Sequence, residues 1–475
     1  MINVAKFFKA YDLRGTTPEL DWKVYYLAGQ AMVSEVMQKE GLELVINVWS
    51  DARLTSPLFY KAFINGLKSK GCKVIPCGVG STDMMYAYTI SNDISGAIIT
   101  ASHNPKDDNG LKVVKKYPEM LGLAGGLDKV RDYVVANYEG LDIDIQSLNE
   151  ITNDVAAKQE AISYLSEVSN QVGDYINITT PNNYTVVVDS GNGMGSVIYE
   201  VLKTQYPKIK FVPLYCELDG NFPNHPADPI NPDNMVDLQK AVIDNNANLG
   251  IAFDGDADRA FFVDEKGELI NGENLVAVFA KKLVTDALIK PELGYNPVAV
   301  YVVSYSRALA DTVLMAGGGA VVSKQGHTFV KANMKKYNAI YGGEASGHHY
   351  FGQFGFMDSG ILAVNLILNI LFKNNQKASQ LCNYYQDKYY TSGEHNLKAP
   401  EGVDMALVIS KVKAQYPDAV ISELDGITVY YPEWKMTIRG SNTEPLFRIN
   451  IETKVNNTKL NPEIKLAEAK KLILE

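Results

Sequence analysis

Short apolar runs alternate with longer amphipathic stretches along most of the chain. Residues 44–48 predict a buried strand and residues 57–70 a helix with proline near its start. Residues 73–76 predict a second strand, and the wholly apolar 96–99 a third. That last run leads into Thr100-Ala101-Ser102-His103-Asn104-Pro105, where Pro105 stops regular structure. Ser102 therefore falls on a turn at a strand's carboxyl end, the place where ligand chemistry collects in open α/β sheets. A helix over 127–137 and a polar stretch over 142–154 close this first unit. A second unit follows, with a helix over 155–172 and strands over 184–189 and 249–253, and a third runs from about 265 to 373 with strands over 298–303 and 339–341. Beyond a helix predicted over 378–389 the order changes. Short strands over 419–422, 426–431, 435–438 and 446–452, then a terminal helix from Pro462, predict an antiparallel sheet. The expectation is an α/β fold: three successive mixed-sheet domains (1–150, 151–262, 263–374) and a smaller C-terminal α+β domain (375–475).

Composition narrows the function classes. A length of 475 residues with 46% hydrophobic content suits a globular protein with several cores. The net charge of −10 argues against a broad nucleic-acid-binding surface, while leaving room for a local Lys/Arg cluster that faces an anionic small molecule. Cys72, Cys77, Cys216 and Cys382 match no zinc spacing and point to reduced, intracellular thiols. No apolar h-region opens the chain. The longest apolar run, 361–372, is interrupted by Asn365 and Asn369 and falls short of the ~20 residues that span a bilayer, so it predicts a buried helix. The expected protein is soluble and cytoplasmic, without nucleic-acid or membrane partners, a monomer or weak homodimer.

Four turns carry candidate chemistry. Besides Ser102, Asp254-Gly255-Asp256-Ala257-Asp258-Arg259 directly follows an apolar strand. Carboxylates at alternate positions of an extended segment project to one side and repel one another, so a cation is needed. All-oxygen ligands indicate Mg²⁺ or Ca²⁺. The segment is no EF-hand, because Arg259 occupies the position of that loop's glycine. In Gly342-Gly343-Glu344-Ala345-Ser346-Gly347-His348-His349, Glu344 and Ser346 offer an acceptor and a donor-acceptor suited to a polyhydroxyl ligand, and His348 can exchange protons near neutral pH. Arg439-Gly440-Ser441-Asn442-Thr443-Glu444-Pro445, with Arg448 beyond it, offers a guanidinium fork, two hydroxyls and backbone amides to a phosphate. Arg14 and Lys112 add cations. A glycine-rich turn at 190–195 suits either a phosphate or tight strand-to-helix packing.

Together the four turns, in this order, resemble the α-D-phosphohexomutase superfamily, in particular its phosphomannomutase/phosphoglucomutase branch. Supporting stretches are Tyr11 to Gly15, Asn109 to Lys112, Asp189 to Gly195, Asp219 to Pro223 and Gly326-His327. The resemblance implies four domains around a central cleft and transfer of a phosphoryl group between the 1- and 6-positions of a hexose. It implies that Ser102 is carried as phosphoserine and that a hexose 1,6-bisphosphate is the intermediate and activator. Mg²⁺ would be held by Asp254, Asp256, Asp258 and an oxygen on Ser102. Arg259, Glu344 and Ser346 would bind the sugar phosphate, and Arg439, Ser441, Asn442, Thr443 and Arg448 the non-reacting phosphate. Arg14, Lys112, His327 and His348 would serve proton transfer and phosphate contacts, with acid and base unassigned.

The chain departs from the pattern at Gly440, at Ser304, where a lysine is expected, and at Ala345, where bifunctional mannose/glucose enzymes carry methionine. His348-His349-Tyr350-Phe351 favours mannose phosphates as substrate over the phosphoglucomutase and phosphoglucosamine mutase readings. A metal-dependent sugar phosphatase and a non-catalytic homologue are the alternatives of other classes. The first has no need of a turn that holds the far phosphate, and the second no need of Ser102 and the aspartates.

Overall fold

The computed structural model describes residues 3–381, 385, 388–400, 402–440, 446–455 and 460–474. Two compact units divide the chain: Met1–Ile270 with Ser346–Ser379, and Asn271–Ala345 with Gln380–Glu475.

In the first unit, β1 (Leu13–Thr16), β2 (Val45–Ser50), β3 (Lys73–Val79), β4 (Ser95–Ile99), β5 (Asp108–Lys115) and the short β6 (Glu119–Met120) form one mixed sheet, ordered β1-β5-β4-β2-β3 with β6 beside β5. The strands β3, β2 and β4 run parallel, as their crossover helices Ser56–Ser69 and Thr82–Asn92 require, whereas β5 returns antiparallel to β4. The turn bearing Ser102 is the link between β4 and β5. A second sheet, β10-β9-β7-β8, is built from β7 (Thr185–Asp189), β8 (Lys210–Leu214), β9 (Leu249–Phe253) and β10 (Ala260–Asp264). Its antiparallel pair β9–β10 is joined by the segment of the three aspartates. Both chemical turns thus connect a buried strand to an antiparallel return, which holds each at both ends.

The apolar run 361–372 is a helix, Gly360–Lys373, buried almost throughout. Its two asparagines are tied into the core: Asn365 donates to Gln205 Oε1 (3.1 Å) and accepts from Tyr206 (2.8 Å), while Asn369 donates to the Gly173 carbonyl (2.7 Å) and leaves its own Oδ1 buried without a hydrogen-bond partner. The polar interruptions pin this helix against the helix Val155–Gly173, which Asp154 caps. Among the described residues no helix is long and apolar enough to cross a membrane.

In the second unit, strands Gly319–Ser323, Asn296–Val302 and Ala339–Gly343 pair parallel, with Asn296–Val302 in the middle. The last of these reaches past the expected 339–341. Gly342 and Gly343 belong to the strand because a side chain there would strike Met334 and Val276. An antiparallel sheet built from residues 389–454 forms the C-terminal part. The bounds of the helix expected over 378–389 are corrected at both ends: Ala378–Gln380 is one 3₁₀ turn and Tyr389 already opens a strand, Tyr389–Lys398, while Tyr385 between them is helical. Residues 382–384 and 386–387 lie outside the described ones. Among the described residues that strand pairs only with Leu446–Lys454. At the sheet edge it buries little and shows no alternation to read. A helix at Met405–Gln415, capped by Asp404, also went unforeseen.

Candidate functional site

The Ser102 turn is held by two guanidinium groups. Arg53, only 1% exposed, donates to the carbonyls of Ser102 (2.8 Å), Asn104 (2.6 Å), Pro105 (2.6 Å) and Asp108 (2.8 Å), and Asp51 orients it through its Nε (3.1 Å). Arg14 donates to the Ala101 carbonyl (3.1 Å) and to Asn104 Oδ1 (2.9 Å). Ser102 itself has φ of +52°, a left-handed conformation that a non-glycine residue adopts at a local cost of about 1–2 kcal/mol. Such strain persists only where surrounding contacts impose it, as the fan of bonds from Arg53 does here.

Ser102 Oγ donates to Asp254 Oδ2 (2.9 Å), and Arg259 Nη2 stands 3.4 Å from the same hydroxyl. Arg259 is itself buried and binds Asp254 through Nε (2.9 Å) and Nη2 (2.7 Å). It also touches His103 Nδ1. Burial and the Arg259 charge push His103 down to about 2, so its imidazole is neutral and shapes the turn.

Asp254, Asp256 and Asp258 place one carboxylate oxygen each within 4.8 Å of the others. Lys112 Nζ donates to Asp256 (2.6 Å) and Asp258 (2.7 Å), and Thr82 Oγ1 to Asp256 (2.6 Å). Burial raises Asp254 and Asp258, with repulsion from Asp256 adding in both. For Asp256 burial is outweighed by Lys112, and it stays below the usual carboxylate range. Two cations thus serve three buried acids, and the Asp256 and Asp258 Oδ1 atoms remain buried without a hydrogen-bond partner. An all-oxygen set with unsatisfied carboxylate atoms fits a hard divalent ion.

The two turns meet at Gly255. A Cβ there would lie 2.2 Å from the Ser102 carbonyl oxygen, so only glycine lets the aspartate segment approach the serine turn. The glycine-rich turn at 190–195 supports this approach from behind, with the Met194 amide donating to the Gly255 carbonyl (3.0 Å). Packing is the role the geometry gives it. Gly255→Ala is expected to lower turnover about 100-fold by displacing Ser102 from Asp254, with the far-ultraviolet circular dichroism unchanged. Wild-type turnover in this variant would show that the approach is not required.

The first unit thus brings Ser102, Lys112, Asp254, Asp256, Asp258 and Arg259 together, with Arg14 under the turn. It also contains Ser346 and His348, whose Oγ and Nδ1 lie 3.1 Å apart. The second unit carries His327, Glu344, Arg439 and Arg448. Glu344, buried just after its strand, accepts from the Gly326 amide (3.2 Å), and His327 opens the helix His327–Tyr337. Arg439 and Arg448 share Glu394, at 2.7 and 3.0 Å. Ser441, Asn442 and Thr443 lie outside the described residues. Beside Ser304, where a lysine is expected, buried Lys435 donates to the Val303 carbonyl (2.9 Å) and to that of Tyr305. Arg53, Thr82, Glu394 and Lys435 were missed from sequence. The partners that place them at the site lie 45 or more residues away along the chain, and no local pattern marks such pairs.

Residues 5–124, 163–267 and 271–389 match the phosphoglucomutase/phosphomannomutase α/β/α domains I, II and III. The chain is 33% identical to the phosphomannomutase of Vibrio cholerae serotype O1 over 98% of each chain. It is 34% identical to the phosphomannomutase/phosphoglucomutase of Pseudomonas aeruginosa, over 94% of this chain and 92% of that one. A phosphoglucomutase/phosphomannomutase family protein of Burkholderia thailandensis has a similar structure, with a TM-score of 0.78 at 26% identity, covering 100% of this chain and 98% of that one.

Proposed function

The chain belongs to the phosphoglucomutase/phosphomannomutase family, and we propose that it is a phosphohexomutase that interconverts mannose 6-phosphate and mannose 1-phosphate. The observation that carries this reading is the Ser102 hydroxyl on Asp254 beside the buried acids, Lys112 and Arg259. The proposal includes the division into domains at 1–150, 151–262, 263–374 and 375–475 and a cytoplasmic, monomeric or weakly dimeric enzyme.

Ser102 is carried as phosphoserine. A sugar hydroxyl attacks its phosphorus, the bond from phosphorus to Ser102 Oγ breaks, and a hexose 1,6-bisphosphate forms. The hydroxyl proton passes to a base, for which the His348 imidazole is the candidate, while Lys112, held as an ammonium by Asp256 and Asp258, and Arg14 contact phosphate. The intermediate then presents its other phosphate to Ser102 Oγ, and the same bonds form and break in reverse, so phosphate is conserved. Asp254, Asp256, Asp258 and a phosphoserine oxygen would hold Mg²⁺, which supplies neutralisation of charge on the transferring group. Arg259 keeps Asp254 ionised and aimed at Ser102, as its two bonds to that carboxylate support. Glu344 and Ser346 receive the sugar hydroxyls. Arg439, Ser441, Asn442, Thr443, Arg448 and His327 anchor the phosphate that is not reacting, which supplies the positioning that phosphoryl transfer needs.

The test is kcat/KM for mannose, glucose and N-acetylglucosamine phosphates, with and without a hexose 1,6-bisphosphate. The mannose pair is expected to give the highest value, with stimulation by the bisphosphate and no net release of phosphate. Steady phosphate release would establish a phosphatase instead. A higher kcat/KM for glucose or N-acetylglucosamine phosphate would reassign the sugar while keeping the reaction.

A further inference from the structure

We propose that Thr82 is a positioning residue for the divalent metal: it confines Asp256 to a single metal-facing oxygen and so makes the three-aspartate site select Mg²⁺ over Ca²⁺. Thr82 opens the helix Thr82–Asn92, which follows β3, and is fully buried. It holds Asp256 twice. Its amide donates to the Asp256 carbonyl (3.1 Å) and its Oγ1 to Asp256 Oδ2 (2.6 Å). One residue thereby fixes both the main chain and the carboxylate of Asp256. Thr82 has little freedom of its own. Ser81 Oγ caps the helix by accepting from the Met84 amide (3.3 Å). Asp83 accepts from Ser359 Oγ (2.9 Å) and from the Ile361 amide (3.3 Å). Both of these flanking residues are fully buried as well.

The two oxygens of each aspartate are unequal, and this is what carries the inference. Oδ2 is occupied in all three: in Asp254 by Ser102 and Arg259, in Asp256 by Lys112 and Thr82, and in Asp258 by Lys112. The Asp256 and Asp258 Oδ1 atoms are buried without a hydrogen-bond partner among the described residues, and Asp254 Oδ1 accepts from the Arg259 amide at 3.2 Å. An ion held by these acids is therefore offered one oxygen from each. Mg²⁺ demands a near-ideal octahedron and is served by single carboxylate oxygens, whereas Ca²⁺ takes more ligands and readily draws both oxygens of a carboxylate. Single-oxygen presentation favours the smaller ion. Of the two donors on Asp256 Oδ2, Lys112 stands at the end of a flexible stem and can follow a turning carboxylate. The Thr82 hydroxyl cannot, because its main chain is bonded to that of Asp256. On the mutase reading, on which the occupancy of the site rests, Thr82 thus sets how tightly and how selectively the ion is held.

The full chain and its variants are brought to one phosphorylation state, checked by intact mass, and loaded with Mn²⁺, an ion suited to oxygen ligands whose free paramagnetic resonance signal is lost on binding. Displacement by Mg²⁺ and by Ca²⁺ then gives both affinities without turnover. In Thr82→Val, which keeps the shape and removes the hydroxyl, Mg²⁺ affinity is expected to fall about tenfold or more. Ca²⁺ affinity should change about twofold or less, because the released carboxylate offers its second oxygen. Thr82→Ser keeps the donor and should keep the wild-type ratio of the two affinities. An unchanged ratio in Thr82→Val, with both ions weakened alike or neither, is what a packing role alone produces; it would overturn the proposal while leaving the metal site standing. A valine-like ratio in Thr82→Ser would overturn it as well. No bound Mn²⁺ in the unaltered chain would overturn both the proposal and the metal site of the mutase reading. Thr82→Ala decides the matter should Thr82→Val fail to fold.

Discussion

Ser102→Ala is expected to lose at least about 10⁴-fold in kcat, because among the described residues no other hydroxyl stands against Asp254 to carry the phosphoryl group. The variant should fold. Alanine meets the same left-handed backbone that serine already adopts, and the contacts that impose it reach the main chain, chiefly from Arg53 to the Ser102 carbonyl. Asp254 loses one hydrogen bond and retains those from Arg259. Two measurements separate lost chemistry from lost structure. The thermal midpoint should stay within a few degrees of wild type, and the intact mass should lack the increment of one phosphoryl group that the unaltered protein is expected to show. Near-native kcat, or an unchanged phosphoryl increment, would remove Ser102 from the reaction.

Chelation of divalent metal should have the next largest effect, about 10³-fold or more in turnover, restored by added Mg²⁺. That figure corresponds to about 4 kcal/mol of charge stabilisation on the transferring group, within the range for a Lewis-acidic ion at a phosphoryl centre. The fold should persist without the ion. Lys112 bridges Asp256 and Asp258, and Arg259 pairs with Asp254, so two cations already offset most of the charge of the three acids. Circular dichroism after EDTA should therefore match that of the loaded protein. Full activity after exhaustive chelation would eliminate the cation from the mechanism, and collapse of the fold would show that Lys112 and Arg259 do not suffice as counter-charge.

Much of this architecture was legible in the order of residues. The strands at Ser95–Ile99 and Leu249–Phe253 are uninterrupted apolar runs bounded by polar turns, the signature of strands buried on both faces. Each turn placed its chemistry directly behind such a run, and alternate spacing alone predicts that Asp254, Asp256 and Asp258 converge. The helix Gly360–Lys373 was legible for the same reason, as was the family, since its turns are local words in a set order.

What failed to show was of two kinds. The strand Tyr389–Lys398 lies at a sheet edge with a mostly exposed surface, so burial imposed no pattern on its residues. The helix Met405–Gln415 buries only Val408 and Val412 fully, too few for a distinct stripe.

The other kind concerns the site. From local sequence, Ser102 was a serine on a turn and the three aspartates an acidic segment in need of a cation. That Arg53 braces the one turn, that Lys112 and Arg259 neutralise the other, and that Gly255 lets them touch are facts of tertiary structure. The same holds for the grip of Thr82 on Asp256. Local strand and turn preferences act over a few residues and are written in order along the chain. Charge pairing and close approach act through space between segments 152 residues apart, as from Ser102 to Asp254, or 174, as from Thr82 to Asp256, and only the packed sheets bring those segments together.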